Sequence, residues 1–142
     1  MATNLWPHID VGHTGEAANE LSVIFNARSP FDTPKPSRLI ERILQIASDP
    51  DSIILDSFAG SGTPAHAVLN MNKAAGGNRK FILVEMMDYA DSITAERVKR
   101  VIDGYGEDKK AVEGTGGNFS YYELGPVLLQ ADGNLNEEVG AQ

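Results

Sequence analysis

The chain has 142 residues, 42% of them hydrophobic, which is enough for one compact domain with a real core and has no cysteine for disulfides, thiolate metal sites or cysteine nucleophiles. Net charge is −8, with eight acids against two bases over residues 103–142 and twelve against ten over residues 1–102, so the clustered cations that grip nucleic-acid phosphates are missing. His8, His13 and His66 are too scattered for a metal cluster, no apolar run approaches the roughly 18 residues of a membrane span, and MATNLWPHID lacks the basic and apolar regions of a signal peptide, so a soluble, cytoplasmic protein without a membrane partner is expected.

In chain order, the spacing of Leu39, Ile40, Ile43, Leu44 and Ala47 predicts a helix introduced by Thr33-Pro34-Lys35-Pro36, and this helix is expected to pack on a sheet. Ser52-Ile53-Ile54-Leu55 follows the turn-forming Asp49-Pro50-Asp51, is too short for a helix, and reads as a buried strand that breaks off at Asp56. After Gly62, Thr63 is expected to cap a helix that accepts Pro64 in its first turn, carries Ala67, Val68 and Met71 at helical spacing, and stops at Gly76-Gly77-Asn78. Phe81-Ile82-Leu83-Val84 is the next buried strand and delivers Glu85 to its C-terminal end; a helix from Asp88 or Asp91 to about Gly104 follows. This order of strand, glycine turn, helix, strand and helix is the rhythm of a parallel α/β sheet, with function at the strand C-termini. Further on, Phe119, Tyr121 and Glu123 alternate with Ser120, Tyr122 and Leu124 and predict another strand, and residues 131–142 read as a polar, frayed tail.

Gly60-Ser61-Gly62-Thr63-Pro64-Ala65 fits the G-x-G-x-x-G/A pattern between a predicted strand and a predicted helix. Glycines there allow a tight turn and close approach of a ligand, and the helix start offers unpaired N–H groups to an anion, either a pyrophosphate or an amino-acid carboxylate. Glu85, 23 residues beyond Gly62, stands where an acid accepts the ribose hydroxyls of an adenosine cofactor. The bland alternative is a plain strand-to-helix turn and a solvated strand end. Asp56 in the same turn would repel a pyrophosphate but suits the ammonium of a methionine moiety, which favours S-adenosylmethionine over a nicotinamide dinucleotide.

These residues resemble the beta-class amino-methyltransferases of DNA, specifically the modification subunits of type III restriction systems. Phe31-Asp32-Thr33-Pro34-Lys35-Pro36 with Leu39-Ile40 is similar to that family's upstream cofactor motif, and Leu55 through Thr63 looks like its main one. Tyr89 through Arg97 resembles the helix that follows the ribose-binding acid, and residues 116–125 its next strand segment. The resemblance implies a Rossmann-like methyltransferase fold over residues 1–130, with Asp56, Phe58, Gly60, Gly62 and Thr63 around the methionine portion of S-adenosylmethionine. Thr33, Lys35 and Pro36 would close that side, and Glu85 and Met86 would hold ribose and adenine. Pro64 departs from the pattern, removing a hydroxyl that many relatives place near the carboxylate.

A larger departure concerns the D/N/S-P-P-Y/F/W motif, which in the family holds the target amino group while its ring stacks on the flipped base. The sequence has no Pro-Pro, and Ser29-Pro30-Phe31 lacks one proline and lies in the wrong place. No catalytic residue is assigned. The chain is expected to be the later, cofactor-binding portion of an adenine-specific enzyme, truncated naturally or by design and inactive alone. DNA would be gripped by segments outside it, and a catalytic half or a restriction subunit is an expected partner. Other readings are a module that complements a separate catalytic chain and, from the glycine pattern and Glu85 alone, a nicotinamide-dependent oxidoreductase domain. Sheet surface normally covered by the other half would favour self-association. His66 reads as a plain helix residue with no acid to orient it, Trp6 and Tyr121-Tyr122 as packing residues, and Arg97, Lys99 and Arg100 as a solvated basic face near a helix C-terminus.

Overall fold

A computed structural model of the chain describes residues 5–136 and 139. It begins with two helices in a stretch to which the sequence reading assigns no element: α1 (His8–Val11) and α2 (Thr14–Phe25). His13 caps α2 by accepting from Glu16 N at its ring Nδ1, and Ala17, Leu21 and Ile24 then fall on one buried stripe. Helix α3 (Ser37–Ala47) starts after Pro36, as the proline pair predicts, and buries Leu44. Its expected seat on a sheet needs correction. The principal partner of α3 is the next helix, where Leu44 packs with Ala67 and Val68, and only the flanks of that cluster reach the strands through Ile54 and Phe81. Ile43 and Ala47 are exposed.

Strand β1 (Ile53–Asp56), helix α4 (Thr63–Ala75) and strand β2 (Lys80–Leu83) form the expected crossover. The strands are parallel, with Ile54 beside Phe81, Leu55 beside Ile82 and Asp56 beside Leu83. Side chains alternate across a sheet, so one face carries Ile54, Phe81 and Leu83 into the core against α4. The expectation of buried strands holds for that face alone: the other, which no helix among the described residues covers, carries Ile53, Leu55, Ile82 and Val84, all at least 51% exposed. Gly76 ends α4 in the left-handed conformation with its N–H on Asn72 O, the stop that the glycine pair predicts.

After β2 comes a turn of π-helix (Ala90–Ala95), which runs directly into α5 (Glu96–Asp103), ending at Gly104 as expected. Helices α2, α4 and α5 share the main core of Leu21, Ile24, Ala65, Leu69, Val98 and Val101. Two short strands, β3 (Gly104–Tyr105) and β4 (Val112–Glu113), pair antiparallel around a 3₁₀ turn at Asp108–Lys110.

The strand predicted over Phe119 to Leu124 is not formed. Phe119 packs on the main core, but Tyr122 and Leu124 are 86% and 103% exposed, and no strand among the described residues lies alongside to take up their backbone groups. Leu129 and Leu135 form an isolated antiparallel bridge, and the tail beyond it falls largely outside the described residues. The chain is therefore a mixed α/β unit with a small parallel sheet covered by helices on one face. No helix among the described residues is long and apolar enough to cross a membrane.

Candidate functional site

The C-terminal ends of β1 and β2 meet at a turn that the sequence builds residue by residue. Asp56 Oδ1 accepts from Phe58 N at 3.1 Å and bends the chain away from the strand. Val84 N donates to Asp56 O at 2.9 Å, Ala59 N to Val84 O at 3.1 Å, and Gly62 N to Ala59 O at 2.8 Å, so the turn is stitched to the end of β2. Gly60 and Gly62 have φ of 53° and 76°. A Cβ on Gly62 would lie 3.1 Å from the Thr94 carbonyl oxygen, and one on Gly60 would lie 3.3 Å from the Phe31 ring. Both glycines are thus required by the turn and by protein packed against it. The helix cap also differs from expectation: Gly62 occupies the cap position, and Thr63 is the first helical residue. Thr63 Oγ1 is turned instead toward Lys35 O, to which it donates at 3.2 Å.

The turn, together with residues 31–35, walls an open cleft of about 240 Å³. Thr33, Lys35, Asp56, Phe58, Gly60 and Thr63 line it, joined by Phe31, Ser61 and Pro64. Thus six of the ten residues singled out in the sequence converge on one cavity. Pro36 is buried beside Gly12 instead, and Gly62 faces Thr94. Glu85 and Met86 stand outside the cleft. Glu85 is tied to it, with Oε2 accepting from Gly60 N at 2.8 Å, while Oε1 accepts from Met86 N at 2.9 Å and Met87 N at 3.0 Å. Met86 is 86% exposed.

Behind the turn lies a buried polar cluster that the sequence reading misses. Arg97, read as part of a solvated face, is 0% exposed; only Lys99 of that trio is exposed, and Arg100 is half-buried on Glu96 and the Phe25 ring. Arg97 Nη2 donates to Glu20 Oε2 at 2.9 Å and to His66 Nδ1 at 3.1 Å, and Nη1 to Thr63 Oγ1 at 2.9 Å and Ser61 Oγ at 3.1 Å. His66 does have an acid nearby, Glu20 Oε1 at 4.0 Å. Burial, with Arg97 adding to it, nonetheless pushes its pKa down to about 3, so it is a neutral acceptor in the core rather than a base. Burial raises the Glu20 pKa and lowers that of Arg97, each opposed by the attraction of the other. From the π-helix, Thr94 Oγ1 donates to Gly60 O at 2.6 Å, and Tyr89, just before it, meets Phe31 edge to face with ring centroids 5.4 Å apart. π-Turns of this kind occur often at functional sites.

The cleft offers one carboxylate (Asp56), one exposed cation (Lys35) and the hydroxyls of Thr33, Ser61 and Thr63, a set that complements both charges of an amino-acid zwitterion. At about 240 Å³ it is smaller than a whole cofactor pocket of about 300–1,000 Å³. Glu85 has roughly four acceptor positions and three backbone amides fill three of them, so accepting two further donors requires it to release one of these amides.

A model of the DNA methylase family matches residues 2–96. The chain is 38% identical over 113 residues, 70% of its length, to the Mod subunit of the type III restriction-modification enzyme StyLTI of Salmonella typhimurium. It is 48% identical over 73 residues, 51% of its length, to the type II methyltransferase M.KpnI of Klebsiella pneumoniae. Over 94 residues, 65% of its length, it is 42% identical to the probable type III HindVI Mod subunit of Haemophilus influenzae. The matches span 17%, 17% and 12% of those relatives' own lengths.

Proposed function

Because the chain belongs to the DNA methylase family, whose model matches residues 2–96, we propose that residues 1–130 are the S-adenosylmethionine-binding portion of a cytoplasmic, site-specific DNA methyltransferase acting on the exocyclic amino group of adenine. Residues 131–142 are a polar tail, and the unit is a partial Rossmann-like methyltransferase fold. The observation that carries this reading is the meeting of Asp56, Phe58, Gly60, Thr63, Thr33 and Lys35 around one cleft, with Glu85 bonded to the glycine turn that walls it. When bound, S-adenosylmethionine supplies an electrophilic methyl group. Asp56 holds the ligand's ammonium, Lys35 and the Thr33 and Ser61 hydroxyls hold its carboxylate, Thr63 walls the cleft beside them, Phe58 covers the chain between the two charges, and Glu85 with Met86 takes the adenosine.

No step of methyl transfer is assigned to this chain's own side chains, since the sequence has no Pro-Pro to form the base-holding motif. The chain works joined to, or paired with, a portion that carries that motif and reads DNA, and a restriction subunit is a further partner of the assembly. Its open sheet face of Ile53, Leu55, Ile82 and Val84 favours such a neighbour, and a second copy can occupy the same face in isolation. Isothermal titration with S-adenosylhomocysteine, S-adenosylmethionine and NAD tests the reading. Binding of the two adenosyl ligands but not NAD, weakened at least about tenfold by Glu85→Ala, is expected. Preference for NAD would favour the oxidoreductase alternative.

A further inference from the structure

The buried cluster behind the glycine turn contains more than the turn needs to keep its shape. Hydrogen bonds from Gly62 N to Ala59 O, from Ala59 N to Val84 O and from Thr94 Oγ1 to Gly60 O already hold the loop. Arg97 adds a fully buried guanidinium, which is costly to desolvate and is balanced on its far side by Glu20 and His66. On its near side, Nη1 donates to Ser61 O at 3.3 Å as well as to the Ser61 and Thr63 hydroxyls.

These bonds fix where the hydroxyl protons go. A hydroxyl has one proton to give, and an oxygen that accepts from a cation directs that proton elsewhere. Thr63 gives its proton to Lys35 O. For Ser61, the nearby acceptor is Thr63 Oγ1 at 3.4 Å, a long contact to an oxygen that also accepts from Arg97. Ser61 is 3% exposed, and the surface it keeps forms part of the cleft wall. Its hydroxyl is therefore a donor aimed by Arg97 and without a short internal acceptor.

We propose that Arg97 is a positioning residue that sets the Ser61 hydroxyl as a hydrogen-bond donor to the carboxylate of the ligand, so that the cleft selects adenosyl compounds carrying an intact amino-acid end. The inference rests on reading the cleft as the S-adenosylmethionine site. Lys35 supplies attraction to the same carboxylate but is exposed and hydrated, whereas Ser61 is dry and fixed, so the discrimination falls mainly on Ser61.

Isothermal titration of the full chain with S-adenosylhomocysteine and with its decarboxylated analogue, which keeps the ammonium, tests this in the unsubstituted protein, in Arg97→Met and in Ser61→Ala. Both substitutions should weaken S-adenosylhomocysteine by about tenfold and leave the decarboxylated analogue within about twofold. Ser61→Ala leaves the buried charge pair intact, so it decides the matter if circular dichroism shows Arg97→Met unfolded. Equal weakening of the two ligands would mark a merely structural role and overturn the proposal, as would unchanged affinity in Ser61→Ala. Binding of neither ligand by the unsubstituted chain would overturn the cofactor reading itself, and this inference with it.

Discussion

Replacing Glu20 with glutamine keeps the side chain's shape and removes the counter-charge of Arg97. The two groups meet at 2.9 Å, with Arg97 fully buried and the Glu20 side chain 22% exposed. At that distance and an effective dielectric constant near 20, the gross attraction is about 6 kcal/mol, most of which offsets desolvation. Removing one partner of a buried pair costs about 3–5 kcal/mol by stranding the other charge; Glu20 is partly exposed and burial already penalises its own charge and raises its pKa, so this case lies at the low end, about 3 kcal/mol. A domain of this size has about 5–15 kcal/mol in total, so the loss is a large fraction of its stability. With a urea slope of about 2 kcal/mol/M, the unfolding midpoint followed by circular dichroism should fall by about 1.5 M. Glu16→Gln breaks the exposed pair with Arg38 and should shift the midpoint far less. Replacing both partners, in Glu20→Leu with Arg97→Met, should be milder than Glu20→Gln alone, because no charge is then stranded. Equal midpoints for Glu20→Gln and Glu16→Gln would refute the reasoning.

The His66 pKa of about 3, against 6.5 unfolded, means that the unfolded chain takes up a proton that the folded one refuses. Its contribution is complete above pH 6.5 and falls by about 1.4 kcal/mol per pH unit below it, while the raised pKa of Glu20 acts in the opposite sense above pH 4.5. His66→Gln should therefore flatten the stability profile from pH 6.5 to 4.5 relative to the parent, and an unchanged slope would count against a neutral buried imidazole. Gly62→Ala forces a Cβ toward the Thr94 carbonyl at φ 76° and should cost about 1–3 kcal/mol in thermal unfolding; a neutral result would mean that the turn is slack. Leu55→Asp falls on the open sheet face, so it should leave the melting temperature nearly unchanged while reducing the mass seen by light scattering at high concentration. A parent chain that is already monomeric would contradict that face's stickiness.

The crossover and the glycine side of its cleft were legible in the sequence because short-range signals determine them, whereas the Thr33 and Lys35 wall was expected only from the family resemblance. Asp49-Pro50-Asp51 starts β1, Gly60 and Gly62 turn the chain, and Gly76 ends α4. Less legible was whatever depends on partners distant in sequence. Arg97 looked solvated because Lys99 and Arg100 stand beside it, yet it lies four residues from both Ile93 and Val101, on the stripe of α5 that faces the core. Glu20 likewise interrupts the Ala17, Leu21, Ile24 stripe of α2. An opposite charge on each of two apolar stripes was a readable sign of a buried pair, although nothing local said that the stripes face each other. The alternation of Phe119 to Leu124 failed for the same reason, since a strand needs a neighbour and the small sheet offers none there.

The proposed cofactor site is tested most directly by a two-dimensional nitrogen–proton correlation spectrum of the labelled chain, titrated with S-adenosylhomocysteine. Saturable shifts should appear at the amides of Thr33, Lys35, Phe58, Gly60, Ser61 and Glu85, with Gly60 among the largest as Glu85 releases its N–H for the ribose. Shifts scattered away from the cleft, or a spectrum unchanged at millimolar ligand, would contradict the assignment.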